Sequence, residues 1–173
     1  TEQERKKIFY SILETIATDI QEKLRFFEKR DQTKEALMWT PSAFINLGRS
    51  IVNLCKEVRE IIKVEPRCLM ISSPCYILGD IHGNYQDLIA FEKCLWRATP
   101  FLSPASFLFL GDYVDRGIYG LEVGKIEERF FSNRIFDLFK VIIYLLAVKY
   151  QCPKKVLLLR GNHEIRKVQQ LFT

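Results

Sequence analysis

The sequence predicts an α/β fold: a parallel sheet whose strands alternate with helices, preceded by N-terminal helices. Three observations carry that expectation. Short apolar runs recur at Cys75–Leu78, Phe107–Leu110 and Val156–Leu159, and a run apolar at every position is the pattern of a strand buried on both faces. Stretches with apolar residues every three or four positions separate the runs. The repeating unit is therefore βαβ, and the sheet is expected to be covered on both faces. Finally, each run closes on or beside a glycine: Gly79, Gly111 and Gly161.

Taken in order, residues 2–30 place Ile8, Phe9, Ile12, Leu13, Ile16, Ile20, Leu24 and Phe27 on one stripe of an amphipathic helix. Two readings stand for it: packing on the core, or a coiled-coil or partner-binding element. A polar break from Glu28 to Glu35 follows. Thr40-Pro41 then supplies a capping hydroxyl and a proline for the first turn of a second helix. Its stripe is Phe44, Leu47, Ile51, Leu54, Cys55, Val58, Ile61 and Ile62, closed by Glu65-Pro66. Beyond the first apolar run, Tyr85, Leu88, Ile89, Phe91, Leu95 and Trp96 form a helical stripe, and Ile135–Tyr150 forms another before the third run.

Composition narrows the function classes. The 173 residues suffice for one ordinary domain with an appendage, and 48% hydrophobic with 27% charged residues describes a globular chain. A net charge of +5, spread without a long run of one sign, argues for no nucleic-acid partner. The longest lipid-like stretch, Val141–Val148 between Lys140 and Lys149, is far short of the ~20 residues a membrane span needs and reads as buried core. Cys55, Cys68, Cys75, Cys94 and Cys152 never form a C-x-x-C pair, so they are expected to be reduced, intracellular core residues. With no secretory leader in view, the expected location is the cytoplasm and/or nucleus.

The chemistry lies where the buried runs stop. In an open parallel sheet the C-terminal ends of neighbouring strands share a crevice where ligands bind. Asp80, His82, Asp112, Asp115, Arg116, Asn162 and His163 are therefore expected to converge. Carboxylate and imidazole suit Mn, Fe or Zn, so Asp80, His82 and Asp112 are candidate metal ligands, with Asn162 as a neutral oxygen. With two metals about 3.5–4 Å apart, one carboxylate can bridge both and activate the water between them. Arg116 has the fork that clamps a phosphate. His163 adjoins Asn162 and can face a leaving group as general acid, oriented by Asp115. One Gly-Asp turn after a strand is ordinary loop chemistry. Three such loops in succession, two Gly-Asp and one Gly-Asn, holding both histidines of the chain, are not.

Gly79-Asp80-Ile81-His82-Gly83, Gly111-Asp112-Tyr113-Val114-Asp115-Arg116-Gly117 and Arg160-Gly161-Asn162-His163-Glu164 resemble the three signature blocks of the phosphoprotein phosphatases. These are serine/threonine protein phosphatases of the calcineurin-like metallophosphoesterase superfamily. The tyrosine in the second block favours this branch over bacterial relatives and dinucleoside-tetraphosphate hydrolases. The resemblance implies a metallophosphoesterase-type βαβ half-core in residues 41–173, with residues 1–40 as a helical extension. It implies two divalent metal ions: Asp80 and His82 on the first, Asp112 bridging, and Asn162 on the second and on phosphate. His163 would be the general acid paired with Asp115, and Arg116 would bind phosphoryl oxygens. The implied reaction is direct hydrolysis of phosphoserine or phosphothreonine in a phosphoprotein, with regulatory subunits as possible further partners.

Two departures from the family pattern generate expectations. Family members continue past the third block and supply two more metal-binding histidines, a second phosphate arginine and the second half of a β-sandwich. A chain truncated at Thr173 is therefore expected to show low or no activity and marginal stability, and its opening on Thr1 rather than Met is the expected mark of a fragment at the front end as well. The alternatives are an impaired isoform acting as an interaction module, and a phosphoesterase for nucleotides or small phosphate esters. The second departure is an excess at Gly124–Val141. Without it Val123 would join Ile142 in one uninterrupted helix, the expected trace of a retained intron or alternative splice, with a surface insertion as the other reading.

Overall fold

A computed structural model of the chain describes residues 16–33, 41–97, 99–114 and 128–167. Strands β1 (Cys75–Leu78), β2 (Ser106–Phe109) and β3 (Val156–Leu158) form one parallel sheet in that order. The register pairs Leu78 with Phe109 and Phe109 with Leu158, so all three strands end level. Four helices accompany them: α1 (Ile16–Thr33), α2 (Pro41–Lys63), α3 (Tyr85–Phe91) and α4 (Glu128–Gln151). Ile8, Phe9, Ile12 and Leu13 of the first stripe, and positions 124–127, lie outside the described residues.

The Asn84 side chain caps α3 by accepting the Asp87 N–H over 3.1 Å. A single π-type turn, Glu92–Trp96, then extends the helix. Trp96 is buried there, its ring edge-on to Phe107 at 4.9 Å and its Nε1–H donating to Tyr144 Oη over 3.4 Å. Tyr144 belongs to α4, so both crossover helices lie on the face that carries Phe107 and Phe109.

The expected cover is met on this face. The opposite face carries Cys75, Ile77, Leu108 and Leu157. Leu108 is buried, but Ile77 is 65% exposed, so cover on that side is incomplete among the described residues. Right-handed crossovers that advance in one direction put consecutive helices on the same face, so covering the second face with crossover helices would require the order to reverse.

Helix α4 packs against α1, α2, α3 and β3. It buries Val141, Ile143, Tyr144, Leu145, Ala147 and Val148, as read from the apolar run. Onto it α1 buries Ala17, Ile20 and Leu24, while α2 buries Leu47, Leu54 and Val58. Each large aliphatic side chain so removed from water contributes about 1.5–3 kcal/mol. The α2 seam is narrower than its stripe. Cys55 and Ile62 are exposed, because Cys55 lies one step round the helix from Leu54. The cysteines as a group are corrected likewise. All five are free thiols, but Cys55, Cys68 and Cys94 are exposed and only Cys152 is buried.

Lys149 is fully buried at the end of α4. Its ammonium donates to the Glu65 carboxylate, to Pro153 O over 2.9 Å and to Val156 O over 2.8 Å. Three donors meet three acceptors, fastening the chain after α2 to the turn that enters β3. The helix runs unbroken through Val141 and Ile142, with Lys140 and Val141 buried. Among the described residues no helix is long and apolar enough to cross a membrane.

Candidate metal centre

Because the strands end level, the loops that follow them leave the same edge of the sheet and interlock through backbone. The Asp112 carbonyl accepts from Ile81 N over 3.1 Å and from His82 N over 2.9 Å, and Gly83 N donates to Tyr113 O over 2.8 Å. The loops after β2 and β3 approach so closely that only glycine fits. A Cβ on Gly111, where φ is +114°, would lie 2.1 Å from Gly161 N, and one on Gly161 would lie 2.2 Å from Asp112 Oδ1.

Two residues in these loops occupy the left-handed region without being glycine: His82 at φ +44° and Asp112 at φ +51°. Such a conformation costs on the order of 1–3 kcal/mol per residue and persists where surrounding bonds over-determine it. It brings the two functional groups together. His82 Nδ1 lies 2.9 Å from Val114 O. A carbonyl only accepts, so Nδ1–H donates to it and Nε2 is the ring nitrogen left for the site. That Nε2 is 3.6 Å from Asp80 Oδ2. The His163 ring, buried to 1% exposure, stands edge-on to His82 with centroids 4.8 Å apart, and the His163 backbone N–H donates to Asp112 Oδ1 over 2.9 Å.

Ligand atoms of His82, Asp112 and His163 all fall within 4.8 Å of one another. Two imidazoles and a carboxylate, one imidazole already oriented by a carbonyl, fit a divalent transition metal. Asp80 adjoins this trio through His82 but is itself 64% exposed, and Asn162 is exposed beside His163. Asp115 and Arg116 lie outside the described residues.

Residues 73–172, more than half of the chain, match the family model for calcineurin-like phosphoesterases. The chain belongs to the calcineurin-like phosphoesterase family. The match begins just before β1 and takes in all three loops, with α1 and α2 preceding it. Calcineurin-like phosphoesterases use divalent metals to hydrolyse phosphoesters, in keeping with the donor set at this edge of the sheet.

Within the phosphoesterase domain two further residues shape the site. Glu164, singled out in the sequence only as part of the third block, turns its carboxylate onto backbone. Oε1 accepts from Tyr113 N over 2.7 Å, and Oε2 accepts from both Asp112 N and Gly161 N over 2.9 Å. Its place next to His163 was a clue, but nothing in the sequence gives its direction. The Tyr113 hydroxyl donates to Leu159 O over 2.7 Å, tying the end of β2 to the end of β3. Burial, and then the Glu164 carboxylate, push the Tyr113 phenol well above its ordinary range, so it remains a donor.

Proposed function

We propose that this phosphoesterase hydrolyses phosphoserine and phosphothreonine in proteins, using two divalent ions drawn from Mn, Fe or Zn. One observation carries the reading: three level strands deliver Asp80, His82, Asp112 and His163 to one edge of the sheet. The choice of a phosphoprotein substrate rests on the resemblance of the second block, with its tyrosine at position 113. The reading extends to regulatory subunits as partners and to the cytoplasm and/or nucleus as the location.

Cations bound here would polarise the phosphoryl oxygens and make water a stronger nucleophile at neutral pH. Asp80 and His82 would hold the first, Asp112 would contribute to both and Asn162 would serve the second. Arg116 takes phosphoryl oxygens through its paired N–H groups. A water oxygen bonds to phosphorus as the bond to the seryl or threonyl oxygen breaks. His163, which the resemblance pairs with Asp115, would give that departing oxygen its proton. A second reading makes His163 a metal ligand, favoured by its ring lying within 4.8 Å of the His82 and Asp112 donor atoms.

The test is phosphate release from a phosphoserine peptide, a dinucleoside polyphosphate and a chromogenic ester, with and without Mn(II), for the chain and for Asp112→Asn. Mn-dependent turnover of the peptide, slow in this chain and lost in Asp112→Asn, is expected. Turnover of the nucleotide or ester alone would remove the protein-substrate reading. Turnover indifferent to Mn and to Asp112 would remove the site.

A further inference from the structure

We infer that Glu164 is a positioning residue, whose carboxylate, clamped on the backbone N–H groups of Asp112, Tyr113 and Gly161, sets Asp112 for a cation before any cation arrives. The inference rests on the metal-site reading above.

Glu164 joins two loops whose order no strand pairing enforces. Oε1 holds Tyr113 N, while Oε2 is shared between Asp112 N, after β2, and Gly161 N, after β3. The strand ladder reaches only as far as the Leu110 and Leu159 N–H groups, which donate to Leu78 O and Phe109 O over 2.9 Å each. Beyond that point Glu164 replaces the ladder. Without it, three N–H groups lose their acceptor and Asp112 has less reason to stay in the left-handed region.

The consequence reaches both ligands. Asp112 is fixed at its N–H by Glu164 and at Oδ1 by the His163 N–H, and its own carbonyl accepts the His82 N–H. A shift of the Asp112 backbone therefore moves the His82 imidazole and the Asp112 carboxylate together. Glutamine at this position is a sharp probe. It keeps the length and one accepting oxygen, but sets an NH2 donor against N–H donors on the other side. Aspartate keeps the charge and falls one methylene short.

The experiment measures Mn(II) affinity by calorimetry and electron paramagnetic resonance on the full 173-residue chain, comparing Glu164→Gln, Glu164→Asp and Leu54→Ala. Leu54 is buried in α2, outside the three loops, and controls for lost stability. Supporting partners of metal ligands are typically worth about 10–100-fold in affinity. That weakening is expected for Glu164→Gln, with Leu54→Ala close to wild type. A folded Glu164→Gln that binds Mn(II) like the wild type overturns the inference and leaves the metal site standing. A wild-type chain that binds no Mn(II) overturns the site and the inference with it. Should the Gln and Asp variants not fold, amide exchange in the metal-free wild type decides. Protection at Asp112, Tyr113 and Gly161 supports the preset clamp, and fast exchange there refutes it.

Discussion

The backbone N–H of His163 donates to Oδ1 of Asp112 over 2.9 Å. The acid proposed for the leaving group and the carboxylate proposed to bridge the metals are thus held as one unit, though they follow different strands. The bond belongs to the His163 backbone and survives removal of the imidazole.

His163→Ala should therefore separate the two roles open to the ring. As a general acid, its loss lowers kcat by about 10²–10⁴-fold while Mn(II) affinity is unchanged. Kinetics on a phosphopeptide alongside a Mn(II) titration make the comparison. If affinity falls together with turnover, His163 is a ligand and the acid lies elsewhere.

Gly161→Ala tests the contact between the loops. Its Cβ would meet Asp112 Oδ1 at 2.2 Å and Asp112 N at 2.5 Å. The carboxylate can swing, but the backbone of a neighbouring loop cannot yield cheaply. Mn(II) affinity should drop by about tenfold or more. Calorimetric titration and a thermal melt on the same sample would show the loss. Unchanged affinity would mean that the loops separate more easily than their packing indicates.

These contacts mark where the sequence stopped being legible. The β1 boundary at Cys75–Leu78 and the closeness of His82, Asp112 and His163 followed from apolar runs ending at glycines, a local pattern that survives folding. Which face the crossover helices cover was not legible, because a continuous apolar run reports burial but not strand order. It is strand order that puts α3 and α4 on one side. Cys55 was misplaced because a stripe read in sequence is wider than the seam a neighbouring helix covers. The clamp by Glu164 was out of reach for another reason. It binds backbone N–H groups, and backbone leaves no mark on residue type.

Lys149→Met removes the ammonium that joins Glu65, Pro153 O and Val156 O at full burial. Glu65 then keeps a partly buried charge with no cation, a change that costs about 3–5 kcal/mol when one member of a buried pair is lost. Adding Glu65→Leu should recover part of that loss but not all, since the two carbonyls still lack their donor. Urea denaturation of the single and double variants measures both steps. A single variant as stable as wild type would show that the lysine merely fills space.

The remaining prediction concerns alkaline stability. Burial first, and the Glu92 carboxylate second, hold the Tyr144 phenol well above its ordinary value of about 10. As pH rises past that value, the unfolded chain gives up its phenolic proton while the folded chain keeps it. The folded state then binds more protons, so stability must fall with increasing pH. The contribution is complete below about pH 10 and is lost as pH rises toward the folded value. Tyr144→Phe removes one such group. It should lower stability at pH 8, where the Trp96 N–H loses its acceptor, and flatten the decline above pH 10. The decline will not vanish, because Tyr113 is shifted in the same direction. Urea midpoints measured from pH 8 to pH 11 for both proteins test this. Parallel pH slopes would show that Tyr144 ionises as readily in the fold as in the open chain, and that its buried network with Trp96 and Glu92 opens below the global unfolding transition.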